Sequence, residues 1–460
     1  MDAYLFIDFG STFTKLTLVD IEKEEIIATD KAYTTVETDV TIGYENALKR
    51  LNDKVKGDYN IVKRLACSSA AGGLKIIAIG LVPELTAEAA KRAALGAGAR
   101  VIKTYSFNLN NDELKEIKES NADMILLAGG TNGGNSDCIL HNSKMIADHN
   151  ISIPVVVAGN KSCNDEVRRI FSDEIEFYIT ENVMPSLNHI NVDPARETIR
   201  NIFMKKIVNA KGMEHVEGSI SGILMPTPAS VLKAAEILSK GSRDEYGIGD
   251  LAVIDIGGAT TDVHSIAEGA PSKPSVVLRG LEEPHSKRTV EGDLGMRYSA
   301  MSVLEAAGTK TMKKYLTHQD YNIEEEFENR YKHTSLVATD ERDIEFDEAI
   351  AKVCADISMK RHAGFVEPIY SPMGMMYSQE GKDLMELPYV LGTGGVIINS
   401  NNPKSILEAS AFTMEDPTSL KPRHPQYLLD KEYIMSAMGL LTTIDKNMAV
   451  RMLKKYIVEI

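Results

Sequence analysis

The sequence predicts an α/β protein built from two related domains. With 460 residues, the chain is too long for one ordinary hydrophobic core. Short apolar stretches of strand character alternate with segments of helical periodicity, a pattern typical of doubly wound parallel sheets. A strand, an Asp-x-Gly turn and a second strand occur at the N-terminus and again about 247 residues later. This recurrence indicates an internal duplication.

Composition excludes several classes of protein. Hydrophobic residues make up 43% of the chain and charged residues 25%, as in ordinary soluble proteins. The net charge of -15 argues against a nucleic acid or an anionic membrane as partner. No run of about 18 apolar residues occurs, and the first residues do not have the pattern of a secretory signal. The four cysteines form no Cys-x-x-Cys pair, so we expect reduced thiols in a cytoplasmic protein.

The first candidate phosphate-binding segment runs from Asp8 to Lys15. Gly10 allows a tight turn between strands, so that the backbone N–H groups of Gly10, Ser11 and Thr12 can face an anion. The hydroxyls of Ser11, Thr12 and Thr14 supply further donors. Lys15 adds a positive charge for a β-phosphate. Asp8 suits a water-mediated contact to Mg²⁺, which keeps several of its waters. The competing interpretation is an ordinary hairpin turn with a surface lysine.

The second candidate segment, from Asp255 to Asp262, repeats this plan. Asp255 mirrors Asp8 and is the second candidate for a water-mediated Mg²⁺ contact, and both aspartates are candidate catalytic residues. Asp262 is a candidate catalytic residue that orients the attacking water, although holding the loop is an equally open interpretation. The residues expected to contact phosphate are Gly257, Gly258, Thr260 and Thr261.

Two further segments complete the candidate site. A glycine-rich turn follows a late strand and allows a base and ribose to lie against the backbone. Its expected contact residues are Gly392, Thr393, Gly394 and Gly395. A turn before a helical run is a candidate for a phosphate or ribose contact, with an N-cap by Asp293 as the alternative. Its residues are Glu291, Gly292 and Asp293.

The order of these segments resembles the superfamily of acetate and sugar kinases, heat-shock chaperone ATPases and actin. There they are the phosphate-1, phosphate-2 and adenosine segments, and Lys15 lies where actin has its phosphate-binding lysine. The resemblance implies the actin-like ATPase fold, with two duplicated ribonuclease-H-like domains, inserted subdomains and a central cleft for ATP or ADP with Mg²⁺. It also implies two connecting helices with small residues. Gly439 matches the second helix, and residues 128–130 are the candidate for the first.

The expected domain boundaries follow from the duplication. We expect a first domain over residues 1–245, with an insertion at about 100–210. A second domain covers 246–436, with an insertion at about 310–350. The segment 437–460 is expected to form a helix that returns to the first domain.

Four stretches of the chain carry a closer resemblance, namely residues 6–16, 66–74, 125–135 and 289–297. Through them the whole chain resembles the MutL-type accessory proteins of the glutamate mutase operon, also called GlmL. Such proteins are encoded beside adenosylcobalamin-dependent mutases and aminomutases. The resemblance implies a reactivating factor that hydrolyses ATP slowly, moves its domains and releases damaged cobalamin from such a partner.

Three other functions remain open at this stage. A small-molecule kinase needs a catalytic base, and no residue stands out for that role. An electron-donating dehydratase activator needs cysteines for an iron–sulfur cluster, which the scattered cysteines do not favour. A structural protein without hydrolysis is the third. Direct cobalamin binding through His264 is not expected, because Ala267 replaces the last glycine of the Asp-x-His-x-x-Gly motif.

Overall fold

The fold is taken from a computed structural model of the chain. It describes residues 1–10, 12–34, 40–55, 58–69, 74–172, 175–208, 223–271, 276–371 and 374–460. Ser11 of the first candidate segment and residues 70–73 of the second stretch of family resemblance lie outside the described residues.

The elements alternate along most of the chain. The strands are β1 (Asp2–Phe9), β2 (Phe13–Asp20), β3 (Glu25–Tyr33), β4 (Asn60–Ser68), β5 (Lys75–Gly80), β6 (Arg100–Ser106), β7 (Met124–Leu127), β8 (Val155–Val157), β9 (Phe177–Ile179), β10 (Ile223–Pro226), β11 (Leu251–Ile256), β12 (Thr261–Ile266), β13 (Val276–Arg279), β14 (Ser286–Glu291), β15 (Phe365–Ser371), β16 (Gly374–Glu380), β17 (Tyr389–Thr393), β18 (Gln426–Asp430) and β19 (Ile457–Glu459). The helices are α1 (Val40–Lys54), α2 (Glu88–Gly96), α3 (Asn111–Glu119), α4 (Asp137–Asp148), α5 (Asn164–Phe171), α6 (Asp193–Val208), α7 (Thr227–Lys240), α8 (Ala300–Tyr315), α9 (Ile323–Lys332), α10 (Glu341–His362), α11 (Gly395–Ile398), α12 (Pro403–Glu408), α13 (Met435–Leu441) and α14 (Lys446–Tyr456).

Two sheets repeat one topology. The first has the order β10-β4-β1-β2-β3, with β2 antiparallel to both neighbours and β1, β4 and β10 parallel. The second has the order β14-β12-β11-β17-β18-β19, and its first five strands have the same directions. Each is a ribonuclease-H-like sheet, so the chain has the duplicated actin-like ATPase fold expected from its sequence.

The central strands are apolar because both of their faces are covered. In β1, Leu5 and Ile7 pack with Tyr44 and Ala47 of α1. Phe6 points the opposite way, into a cluster formed by α7, α13 and α14. The Asp8 carboxylate at the end of this strand is thereby held on a well-packed scaffold.

Helices α7 and α13 cross between the two sheets. A Cβ atom on Gly439 of α13 would lie 1.9 Å from the backbone oxygen of Ser230 on α7, so only glycine permits this approach. Ser230 Oγ also donates to the Ser436 carbonyl at 2.7 Å. The helix that meets Gly439 is therefore α7. The expectation that residues 128–130 mark the first connecting helix is wrong, because they follow strand β7 in an extra sheet.

This extra sheet is inserted between β4 and β10. Its five strands are all parallel in the order β6-β5-β7-β8-β9. It starts at Lys75, earlier than the expected boundary near residue 100. A π-helical turn, Pro83–Ala87, leads from β5 into α2.

The second lobe carries the three-stranded sheet β13-β16-β15 and helices α8 to α10. The C-terminal segment contacts both lobes. Arg451 of α14 donates to Glu24 at 2.8 Å, whereas β19 pairs with β18 of the second sheet. None of the described helices has the length and apolar character needed to cross a bilayer.

Candidate functional site

A cleft of about 1080 Å³ lies between the two sheets. Both Asp-x-Gly hairpins open into it, and a Cβ atom on Gly258 would lie 3.7 Å from Thr12 Oγ1. Sequence-predicted residues that line the cleft are Asp8, Gly10, Thr12, Lys15, Asp255, Gly257, Gly258, Thr260, Asp262 and Gly395. The structure thus brings two distant segments of the chain into one site.

The two hairpin turns have the same hydrogen-bond pattern. Gly10 N donates to Phe13 O at 3.1 Å, and Gly257 N donates to Thr260 O at 2.9 Å. The second turn is braced further, since the Gly258 carbonyl accepts from Arg297 N at 2.8 Å. The N–H groups of both glycines are therefore used inside the turns. The expectation that Gly10 N–H faces an anion is not supported by this geometry.

Small, polar side chains surround Asp8 at the bottom of the cleft. The residue is 6% exposed. Thr227 Oγ1, at the first residue of α7, donates to Asp8 Oδ1 at 2.6 Å. Ser436 Oγ donates to Oδ2 at 3.4 Å, and Cys67 Sγ to Oδ1 at 3.5 Å. These contacts fix the orientation of the carboxylate.

The Lys15 ammonium is held between a carboxylate and an aromatic ring. Lys15 Nζ lies 3.9 Å from Asp8 Oδ2 and 3.3 Å from the ring centroid of Tyr433. Burial lowers the pKa of Lys15, and the Asp8 and Asp255 carboxylates oppose this effect. Tyr433 has a φ of 57°, an uncommon backbone conformation for a bulky residue. The lysine is therefore pre-positioned to face the cleft.

Asp255 lies in a region of excess negative charge. Burial and the Asp262 carboxylate raise its pKa to about 7, and Asp8 adds to this shift while Lys15 opposes it. Among the described residues, no group of three His, Cys, Asp or Glu side chains is arranged to hold a metal directly. A hydrated Mg²⁺ needs only one or two carboxylates. Asp8 and Asp255 fit that need, since a cation between them would relieve the repulsion.

Asp262 is engaged by a buried arginine. Arg288 of β14 is 6% exposed, and its Nη2 lies 2.6 Å from Asp262 Oδ1. Its Nη1 donates to the carbonyls of Leu95 and Ala99, at 2.9 and 3.0 Å, where α2 ends. Asp262 therefore belongs to a link between the second hairpin and the inserted sheet, which favours the interpretation that it holds the loop.

Several predicted contact residues do not line the cleft. Thr261 is buried, and its hydroxyl donates to Leu294 O at 2.8 Å. Glu291 and Asp293 accept from Arg361 at 2.7 and 2.8 Å. Gly292 faces the guanidinium of Arg100. These four residues stabilise the second lobe around the hairpin, and their predicted contacts with a phosphate or ribose find no support in this arrangement.

The late glycine-rich turn packs against the second hairpin. Thr393 Oγ1 donates to Asp430 Oδ2 at 3.0 Å. A Cβ atom on Gly394 would lie 2.9 Å from Asp255 Oδ1, and Gly392 packs closely against Ile397 and Leu407. Only Gly395 of this segment lines the cleft. The segment therefore positions Asp255 more than it offers contacts of its own.

Sequence reasoning missed the partners that the fold supplies. These are Cys67, Thr227, Arg288, Tyr433 and Ser436. Thr227 carried a usable signal, because it lies between prolines where a strand passes into a helix. The other four lie far along the chain from the Asp-x-Gly turns, so no local pattern marks them.

Comparison with known proteins identifies the family. Residues 4–457 match the family described as MutL protein. Protein MutL of Clostridium tetanomorphum is 60% identical over 462 residues, covering all of both chains. Among solved structures, glycerol dehydratase reactivase is 10% identical, with a TM-score of 0.34, over 96% of this chain and 99% of that one. The activator of 2-hydroxyisocaproyl-CoA dehydratase from Clostridium difficile with bound ADPNP is 11% identical, with a TM-score of 0.31, over 98% and 97%.

These structural likenesses are too low to add to what the strand order shows. The sequence matches extend over nearly the whole chain, and the resemblance noted in four separate stretches is confirmed. This chain belongs to the MutL protein family.

Proposed function

We propose that this protein is an ATP-dependent reactivating factor for an adenosylcobalamin-dependent mutase or aminomutase. It binds Mg·ATP and hydrolyses it slowly. The loss of the terminal phosphate moves its lobes, and this motion releases damaged cobalamin from the partner. One observation carries the nucleotide part of the proposal: two hairpins with the same turn, from different sheets, open into one cleft. Family membership over the whole chain supports the accessory role.

Five of the cleft residues then have a role in binding. Asp8 and Asp255 hold the water ligands of Mg²⁺, which when bound neutralises charge on the phosphates. Lys15 contacts a phosphate as a point charge. Thr12 and Thr260 offer hydroxyls from opposite hairpins. A terminal phosphate held by both hairpins favours closure of the cleft, and its loss on hydrolysis removes that bridge.

The Arg288 link explains how closure is transmitted. Arg288 contacts Asp262 in the second hairpin and the backbone carbonyls that end α2 in the inserted sheet. A shift of the hairpin therefore acts directly on α2. To shift the equilibrium between an open and a closed conformation from 1:99 to 99:1, a ligand must bind the closed one more favourably by about 5.5 kcal/mol. Charge-assisted hydrogen bonds to one phosphate, each contributing about 1.5–3 kcal/mol, supply a difference of that size.

Reactivation of a cognate enzyme tests the proposal. A mutase or aminomutase is inactivated by turnover or loaded with cyanocobalamin, and then receives this protein with ATP, Mg²⁺ and fresh adenosylcobalamin. We expect activity to return, and we expect no return with a non-hydrolysable ATP analogue. Asp255→Asn serves as the inactive variant. The proposal fails if no cognate enzyme regains activity and partner binding is the same with ATP and ADP.

A small-molecule kinase with the same nucleotide cleft is the alternative function. The two functions differ in what accelerates ATP turnover. A kinase responds to a small hydroxyl-bearing substrate and yields its phosphate ester, whereas a reactivating factor responds to the partner enzyme and yields only ADP and inorganic phosphate.

A further inference from the structure

Tyr433 brings the second lobe into contact with Lys15 of the first. It lies in the short turn between β18, a strand of the second sheet, and α13. The centroid of its ring is 3.3 Å from the ammonium of Lys15, which belongs to β2 of the first sheet. Both side chains line the nucleotide cleft. The contact therefore joins the two lobes at the place where a phosphate is expected to bind.

The backbone of Tyr433 is held in a conformation that bulky residues rarely adopt. Its φ is 57°, in the left-handed region. The turn that imposes this value is closed by a hydrogen bond from Tyr433 N to Asp430 O at 3.0 Å. The buried Asp430 carboxylate fixes the next residues as well, since it accepts from Ile434 N at 2.8 Å and from Met435 N at 3.2 Å. Such strain persists only where the surrounding structure enforces it, and it is concentrated at functional sites.

The turn that carries Tyr433 is tied to the second hairpin. Asp430 Oδ2 also accepts from Thr393 Oγ1 at 3.0 Å. A Cβ atom on the next residue, Gly394, would lie 2.9 Å from Asp255 Oδ1, so the glycine-rich turn packs directly on that carboxylate. A continuous series of contacts thus runs from Asp255, through the two turns, to the Tyr433 ring. A displacement of the second hairpin is therefore transmitted to this ring.

The ring keeps the charge of Lys15 available to a ligand. Lys15 lies directly opposite Asp8 in the pair of strands β1 and β2, so its flexible side chain can reach back to that carboxylate. Lys15 Nζ nevertheless stays 3.9 Å from Asp8 Oδ2, whereas a charge-assisted hydrogen bond spans about 2.7–2.9 Å. None of the described residues accepts a hydrogen bond from Nζ. An aromatic face attracts a cation without carrying a net negative charge, so the ammonium keeps its donors for a phosphate.

We propose that Tyr433 positions Lys15 for nucleotide binding and makes this binding depend on the arrangement of the two lobes. The inference rests on the proposed function, in which Lys15 contacts a phosphate. With the ring in place, the ammonium is held in the cleft. When the turn is withdrawn, Lys15 loses the ring and pairs with Asp8, whose negative charge is then no longer free for hydrated Mg²⁺. A nucleotide therefore binds the arrangement with the ring in place more tightly, and such a difference in affinity is what shifts a conformational equilibrium.

Calorimetry with ADP and Mg²⁺ on the full chain tests the inference. Tyr433→Leu removes the ring and should raise Kd by about 3- to 30-fold, the range expected for loss of a cation–π contact. Tyr433→Asn should have the same effect with less backbone strain, since asparagine tolerates a positive φ. Tyr433→Phe keeps the ring and should change Kd by less than about twofold. Phe107→Leu is the matched control, because Phe107 is an aromatic residue with a φ of 65° that does not line the cleft.

A double variant separates positioning of Lys15 from a general structural role. In a Lys15→Met chain, Tyr433→Leu should change Kd by less than about twofold, because the ring has no ammonium left to hold. The inference is overturned if Tyr433→Leu and Tyr433→Asn bind ADP as the wild type does, if Tyr433→Phe weakens binding as much as they do, or if the effects of Tyr433→Leu and Lys15→Met multiply. Absence of ADP binding by the wild-type chain would overturn the nucleotide part of the proposed function as well. Normal binding by the variants without the ring would remove this inference alone.

Discussion

The two Asp-x-Gly hairpins share the same turn hydrogen bond, but they carry opposite charges at the position that pairs with the aspartate. Asp8 pairs with Lys15 across β1 and β2, and Asp255 pairs with Asp262 across β11 and β12. Each partner follows its aspartate by the same number of residues. Duplication therefore preserved the geometry of the turn, whereas the side chain opposite the aspartate diverged from a cation to an anion.

Neighbouring elements explain why each charge is tolerated. The Lys15 ammonium has the Tyr433 ring beside it and faces the cleft. Asp262 instead faces Arg288, which belongs to the next strand of its own sheet. The same scaffold position thus faces the cleft in one lobe and connects the lobes in the other. The four predictions below test this division of roles, from the largest expected effect to the smallest.

Removing Asp262 should destabilise the protein far more than removing Lys15. Asp262→Ala leaves the buried Arg288 without its carboxylate, and breaking such a pair lowers the free energy of unfolding by about 3–5 kcal/mol. Lys15→Met, at the equivalent position, should change it by less than about 1 kcal/mol. Urea unfolding measures both. The double variant Asp262→Ala/Arg288→Met should recover part of the loss, and equal losses for the two single variants would contradict the comparison.

The two aspartates that end the first strands should be equally important for ATP hydrolysis. Asp8→Asn and Asp255→Asn should each lower the turnover rate by about 10²–10³-fold, because charge stabilisation in the transition state is lost. Asp20→Asn is a matched control, since Asp20 is a buried aspartate at the far end of the same hairpin, where it accepts from Glu22 N and Lys23 N. A much larger effect at one of the two aspartates would show that the lobes are not equivalent in catalysis.

Nucleotide affinity should depend on Lys15 and not on Asp262. Lys15→Met removes a charge-assisted contact of about 1.5–3 kcal/mol, which corresponds to an increase in Kd of about 10- to 150-fold. Asp262→Asn keeps an oxygen that can accept from Arg288 and should change Kd by less than about threefold. Calorimetry with ADP and Mg²⁺ measures both constants. Unchanged affinity in Lys15→Met would return Lys15 to the interpretation of a surface lysine.

The pH dependence of stability should distinguish the second hairpin from the first. The pKa of Asp255 is raised to about 7 in the folded chain, so between about pH 4 and 7 the folded state binds more protons than the unfolded state. Its contribution to stability is therefore present below pH 4 and is lost as the pH rises through 7. Relative to Asp255→Asn, the wild-type free energy of unfolding should fall by at most about 1.4 kcal/mol per pH unit across this range. A flat difference between the two proteins would mean that Asp255 titrates normally.

Local sequence was sufficient to predict the fold class and the position of both hairpins. Strand periodicity, the Asp-x-Gly turns and their recurrence are properties of short segments, because turn chemistry and alternation act between near neighbours. The resemblance to the actin-like superfamily then placed Asp8, Lys15 and Asp255 in one cleft. The same resemblance assigned Gly439 to a connecting helix.

Tertiary pairing decided which candidate residues face the cleft. Side chains alternate between faces where the turn enters β12, so Thr260 and Asp262 reach the cleft region while the hydroxyl of Thr261 points to Leu294. Arg288 reaches Asp262 only because β14 pairs with β12 in one register. The order of the inserted sheet arises in the same way, from strand pairings between distant segments. A local pattern specifies which way a side chain alternates along its own strand, but the partner that it meets comes from another part of the chain, and only the folded structure brings the two together.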